Sequence, residues 1–173
     1  MDRIHLTGRI EFEPENVTKK HNLQASWKHI AMVLFDGDIT DYYAWFIKKR
    51  YNLILNKPLR GGHVSFINDS FKEMSLNGQR SMEEVKELWN KVKMKWNGVE
   101  VPITLSVEPR TDANHWWLNI PEEDRKDLQG IRAELGLGRP FFGFHMTIGY
   151  PRQGIMEEHS KYIHQIIKKG LIS

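Results

Sequence analysis

Apolar residues recur at every second position in some stretches of this chain and at helical spacing in others, and the two patterns take turns. Residues 3–13 read as a strand, with Ile4, Leu6, Ile10 and Phe12 apolar. Residues 14–26 are polar and read as loop. Trp27 to Phe35 is a second strand, after which Asp36-Gly37-Asp38 supplies a turn and a candidate cap. Residues 40–53 form a helix with Tyr43, Ile47 and Tyr51 on one stripe. Pro58, Gly61 and Gly62 break the chain before a strand at 63–68, and 71–76 admits another short strand. Ser81 and Glu84 make a Ser-x-x-Glu capping box that opens a helix running to about Trp96, and Asn97-Gly98 then turns the chain.

In residues 99–108, Val99, Val101, Ile103, Leu105 and Val107 face inward, with Thr104 and Ser106 outward. In 113–120, Trp116, Leu118 and Ile120 face one way and His115, Trp117 and Asn119 the other. A hairpin through Thr111-Asp112 would pair these two strands. Pro121 opens a helix ending near Gly136, striped by Leu128, Ile131 and Leu135. A strand at 141–150 and a last helix over about 155–169 follow. The order strand, helix, strand, then hairpin, helix, strand is a rough duplication. It predicts an α+β fold: pseudo-duplicated, mostly antiparallel sheets, two in number, lining a central cleft with flanking helices. The 173 residues suit a single domain, with 1–26 as an N-terminal extension, an added strand and loop over the cleft edge.

Candidate chemistry sits on two of these strands. His63-Val64-Ser65-Phe66 and His145-Met146-Thr147-Ile148 each hold a histidine, an apolar residue, a hydroxyl residue and another apolar residue. Strand alternation puts His63 with Ser65, and His145 with Thr147, on one face, and the apolar residues on the other. Two such strands side by side would offer two imidazoles and two hydroxyls to one ligand, an inventory for acid/base work on a phosphodiester that requires no metal. His5-Leu6-Thr7 fits the same weak pattern, but no element precedes it and it lies near a terminus. The other two follow helices and glycine turns in equivalent places, 82 residues apart.

Composition narrows the setting. There is no cysteine, which excludes disulfides, thiol catalysis and cysteine-based metal sites and fits a reducing cytoplasm. No stretch reads as a signal peptide or is long enough to span a bilayer, so no membrane partner is expected. A net charge of +3 is mild, helpful to an anionic ligand but short of a nucleic-acid footprint. No His-Glu-x-x-His or glycine-rich phosphate loop is present, and Gly136-Leu137-Gly138 lacks a third glycine. His159 and His164 are five apart beside Glu157 and Glu158 and read as a solvated helix face.

The ordered set resembles the 2H phosphoesterase superfamily, which includes LigT-like RNA 2′,3′-cyclic phosphodiesterases, eukaryotic cyclic phosphodiesterases and viral enzymes that cut cyclic nucleotides. The two tetrapeptides carry the likeness, with the helix Asp127 to Leu135 before the second and Trp27 to Phe35 as opening strand. The basic residue that many members place just after the second motif is displaced here, where the chain reads Gly149-Tyr150-Pro151-Arg152. The resemblance implies a two-lobed fold and a metal-independent phosphodiesterase without cofactor. Its substrate would be a cyclic nucleotide, a cyclic oligonucleotide or an RNA 2′,3′-cyclic end, and a viral enzyme degrading host immune signals is one such case.

On that reading His63 and His145 exchange protons with nucleophile and leaving oxygen, and Ser65 and Thr147 hold the non-bridging oxygens. Which histidine is acid and which is base stays open. Trp117 and His115 could stack on a base, against the simpler reading that Trp117 packs on a helix. Arg60, Arg139 and Arg152 lie near the motifs in sequence and could meet phosphate, although surface arginines are usually just solvated. Tyr150, by alternation, faces away from His145 and Thr147 and reads as core unless the strand bends at Gly149. The alternatives are a nucleotide-binding or sequestering module that does not turn over, and an interaction protein whose histidines are structural.

Overall fold

The computed structural model describes residues 2–14, 29–37, 39–58, 61–112, 114–140 and 143–151. In chain order these give β1 (Arg3–Phe12), β2 (Ala31–Leu34), α1 (Ile39–Tyr51), β3 (Leu55–Asn56), β4 (His63–Ile67), α2 (Phe71–Gly78), α3 (Met82–Trp96), β5 (Glu100–Ser106), β6 (Arg110–Thr111), β7 (Trp116–Asn119), a 3-10 turn (Glu122–Asp124), α4 (Lys126–Glu134) and β8 (His145–Pro151). The loop at 15–26, the strand start at Trp27, the Asp38 cap, Arg60, Arg152 and the last helix with His159 and His164 lie outside the described residues.

The strands form one curled antiparallel sheet, a half-barrel in the order β5-β1-β2-β4-β8-β7-β6, with β3 also on β8. Two sheets were expected; one results because β4 and β8 bond directly, Val64 opposite Met146. One face of the sheet is apolar and meets the helices. Val33, Val64, Met146 and Leu118, none of them accessible to solvent (0%), pack with Ile47 of α1, Trp89 of α3 and Ile131 of α4. Burying each such side chain contributes about 1.5–3 kcal/mol. Strand alternation leaves His63, Ser65, His145 and Thr147 on the opposite face.

Three local readings change. The stretch 71–76 is helical: Ser70 Oγ accepts from the Glu73 amide (3.2 Å) and the Glu73 carboxylate accepts from the Ser70 amide (2.5 Å), a second capping box like that of Ser81 and Glu84. The strand at 99–108 does not pair with 113–120. It runs along β1 instead, from Arg3 opposite Ser106 to Arg9 opposite Glu100. Pro109, which has no amide to donate, separates β5 from a short arm, β6, and that arm alone pairs with β7. β1 is bonded to β5 and β2, so residues 3–12 are interior to the sheet rather than a cover on its edge.

Arg132 of α4, only 4% exposed, ties that helix to the end of β4. Its guanidinium donates to the Phe66 carbonyl (2.8 Å), the Gly138 carbonyl (2.8 Å) and the Asp69 carboxylate (2.6 and 3.3 Å). This holds the first histidine strand against the helix that precedes the second.

Candidate functional site

The two histidine strands are built alike, residue for residue. Each motif is preceded by Pro-x-x-Gly-x-His: Pro58 and Gly61 before His63, Pro140 and Gly143 before His145. Both glycines have φ of 66°, the left-handed region that glycine enters without steric cost. The Gly61 amide donates to the Pro58 carbonyl (3.1 Å) and the Gly143 amide to the Pro140 carbonyl (3.2 Å). The carbonyl just before each histidine accepts from beyond the neighbouring strand, Gly62 from Phe35 (3.4 Å) and Phe144 from Ile120 (2.9 Å).

The registers match too. Leu34 lies opposite His63 and Asn119 opposite His145; Met32 lies opposite Ser65 and Trp117 opposite Thr147. One step later both ladders slip, Ala31 meeting Ile67 and Trp116 meeting Gly149, so that Phe66 and Ile148 are the extra residues of two equivalent bulges. A local twofold repeat therefore relates β2–β4 to β7–β8, with the Val64–Met146 pair at its centre.

That central pairing decides which groups meet. Antiparallel register on either side of Val64 and Met146 sets His63 level with Thr147 and Ser65 level with His145. Directly opposed residues have Cβ atoms about 4.5–5.5 Å apart, so each imidazole is paired with the other motif's hydroxyl. The two histidines lie on the diagonal, roughly 7–8 Å apart, a span that a phosphate group can bridge. His63 Nδ1 sits 3.1 Å from the Gly61 carbonyl, to which Nδ1–H donates. Burial, then the charges of His115 and His63, holds the His145 imidazole below its ordinary range. His145 is thus biased to the neutral form.

A third imidazole stands beside the second. The His115 ring is 6.0 Å from that of His145 and stacks on Trp117 at 4.5 Å and 25°. Its Nδ1 contacts Asp112 Oδ1 at 3.1 Å. The same oxygen accepts from the backbone amides of Asn114 (3.0 Å) and His115 (3.1 Å), and Thr111 Oγ1 donates to the His115 carbonyl at 2.9 Å. Burial alone would raise the Asp112 carboxyl; those two amides and the His115 charge outweigh it and hold the group below its usual range. The turn before β7 is thereby locked with His115 aimed at the site.

Tyr150 joins the same group. Simple alternation placed it away from His145, but the bulge at Ile148 adds one residue and reverses the facing beyond it. Ile148 and Gly149 are both buried, and the Tyr150 ring comes to 6.2 Å from His115 at 28°. Gly149 is required there: a Cβ would lie 2.7 Å from the Asn56 carbonyl and 2.9 Å from Leu55 Cβ on β3.

The Trp117 ring has three neighbours in the site. His115 stacks on its ring, His145 meets it edge-on at 6.2 Å, and its Nε1–H donates to Asn119 Oδ1 at 2.8 Å. Arg139 ion-pairs at the surface with Glu122 (2.7 Å), a contact unrelated to the motifs. His5 bonds Thr104 across β1 and β5 (3.3 Å), several strands from the histidine pair. From sequence, Asp112 is a turn residue and Asn119 shares the face of His115 and Trp117 without a role of its own; the signal for Asp112 is its place three residues before His115. Among the described residues no cluster of His, Asp or Glu could hold a metal ion, and no helix is long and apolar enough to cross a membrane. Comparison with protein-family models, curated proteins and solved structures finds no match.

Proposed function

We propose that the chain is a phosphodiesterase of the 2H phosphoesterase type, in which His63 and His145 carry the proton transfers and no metal is needed. The observation that supports this best is the diagonal pair of imidazoles, each level with the other motif's hydroxyl, on one face of adjacent strands. A phosphodiester bound across that seam would touch all four groups. One imidazole takes a proton from water or a ribose 2′-hydroxyl, the other gives one to the leaving oxygen, and Ser65 and Thr147 Oγ–H groups donate to the non-bridging oxygens. The twofold repeat of turns, registers and bulges supports the two-lobed, duplicated arrangement of that superfamily. The substrate class is a cyclic nucleotide, a cyclic oligonucleotide or an RNA 2′,3′-cyclic end.

The test is a hydrolysis panel in EDTA with 2′,3′-cyclic mononucleotides, RNA carrying a 2′,3′-cyclic end, and 3′,5′-linked cyclic mono-, di- and trinucleotides. Wild type is run beside His63→Ala and His145→Ala. Loss of roughly 10²–10⁴-fold in each folded variant is expected. No turnover of any substrate by wild type refutes the enzyme reading, and retained binding would then favour a nucleotide-sequestering module.

A further inference from the structure

Asn119 of β7 lies directly opposite His145, on the sheet face that carries both motifs. Directly opposed Cβ atoms are about 4.5–5.5 Å apart, so Asn119 flanks His145 on its outer side as closely as Ser65 does on the seam side. A ligand resting on His145 therefore comes within reach of the Asn119 carboxamide. Which end of the carboxamide it meets is fixed. The indole Nε1–H of Trp117 can only donate, and it donates to Asn119 Oδ1 at 2.8 Å. The oxygen is held toward Trp117, and the amino group with its two N–H donors is turned away from the indole. Asn119 is half-buried, and among the described residues those two donors have no acceptor. Strand pairing does not call for an amide at this place. Under the twofold repeat Asn119 corresponds to Leu34, opposite His63, and a leucine has no polar atom to offer.

Resting on the phosphodiesterase reading, we propose that Asn119 is a ligand-binding residue that donates an amide N–H to the nucleobase beside the scissile phosphate, on the β8 side of the seam. A phosphate bound across the diagonal from His63 to His145 has one bridging oxygen at His145, and the group attached to that oxygen extends outward over β7. The neighbours there are ring systems, which favour a flat base over a bare sugar. Trp117 shares the strand face with Asn119, His115 stacks on Trp117, and His145 meets it edge-on. With Oδ1 engaged by Trp117, Asn119 turns its hydrogens toward the ligand, so the group it recognises is an acceptor. Carbonyl oxygens and ring nitrogens on the edge of a base are such acceptors. The bond from Trp117 holds the donors in place before the ligand arrives, which lowers the ordering cost of the contact.

The experiment measures affinities by NMR titration of the full chain, for wild type, Asn119→Ala and Asn119→Asp. The probes are uridine and guanosine 3′-monophosphates, ribose 5-phosphate and inorganic phosphate. Asn119→Asp keeps an oxygen for the Trp117 indole, so it preserves that bond if Asn119→Ala does not fold. Its added charge weakens every anionic probe alike and cancels when nucleotide is compared with phosphate. Both variants should bind the nucleotides roughly three- to tenfold more weakly relative to inorganic phosphate, the worth of one neutral hydrogen bond. An unchanged ratio in both variants overturns the proposal and leaves Asn119 as a support for Trp117. An equal loss for ribose 5-phosphate overturns the assignment to the base, as does wild-type binding of nucleotides no tighter than of inorganic phosphate. If the ratio shifts as expected but wild type turns over no phosphodiester, the phosphodiesterase reading fails alone and a nucleotide-binding site remains.

Discussion

Arg132 is the side chain whose removal the structure predicts to cost most outside the apolar core. It is 4% exposed, and the Arg132→Met substitution keeps most of its hydrocarbon stem while deleting every donor. The change strands two carbonyls, of Phe66 and Gly138, and one carboxylate, of Asp69. Each stranded neutral acceptor costs about 1 kcal/mol, and breaking a buried ion pair costs about 3–5 kcal/mol when both partners are fully buried. Asp69 is 24% exposed and regains water, which brings its share toward the lower end. A loss of about 3 kcal/mol results. Urea unfolding measures it, as a lower midpoint with unchanged slope. The cycle with Asp69→Asn isolates the pair, and the double variant should be less destabilised than the two single losses added together, by about 1 kcal/mol or more. A single-variant loss under about 1 kcal/mol, or additivity in the cycle, would refute the claim that this guanidinium fastens α4 to β4.

Gly149→Ala should lower stability by about 1–3 kcal/mol, read by urea unfolding, because the new Cβ meets the Asn56 carbonyl and Leu55 rather than a movable side-chain end. His145, held below its ordinary value of 6.5, makes the unfolded chain the better proton binder, so stability falls as pH drops below about 6.5 and His145 contributes nothing to the slope above it. In His145→Asn the urea midpoint should therefore fall less than in wild type between about pH 7.5 and about pH 5.5, and equal falls would contradict the shift. Ser65→Ala and Thr147→Ala, if their hydroxyls hold the same phosphate, should each lower kcat roughly 10–100-fold with little change in melting temperature. A large effect from one and none from the other would show that the repeat is not matched in function.

Much of this site could be read from the chain because it rests on local alternation. His63 with Ser65, and His145 with Thr147, needed only a two-residue period and a buried apolar partner set, and Val64, Phe66, Met146 and Ile148 are indeed all buried. Tyr150 could be placed only conditionally, facing away unless the strand bends at Gly149: a period of two has no memory of an inserted residue, and the bulge at Ile148 leaves its mark only in pairing. The choice of β1 rather than β7 as partner for β5 is equally non-local, since both candidates alternate well. Phe71 to Gly78 was within reach, because Ser70 and Glu73 carry the capping spacing used correctly eleven residues later. The repeated Pro-x-x-Gly before each histidine was also written in the sequence, and only the matching turns give it meaning.

The bulge in β8 divides one strand into two reading frames. Up to Thr147 the odd-numbered residues face the histidine seam; beyond Ile148 the even-numbered Tyr150 does. A single seven-residue strand thus delivers His145 and Thr147 from one segment and an aromatic neighbour from the next, with a structural hinge of parity between them. Changes downstream of the bulge can alter the surroundings of the seam while His145 and Thr147 keep their places opposite the first motif. The same division exists in β4 after Ser65, where both Phe66 and Ile67 turn into the core and no ring is returned to the seam. If the proposed phosphodiesterase reading holds, variation in ligand preference should accumulate on the β8 side of the twofold repeat.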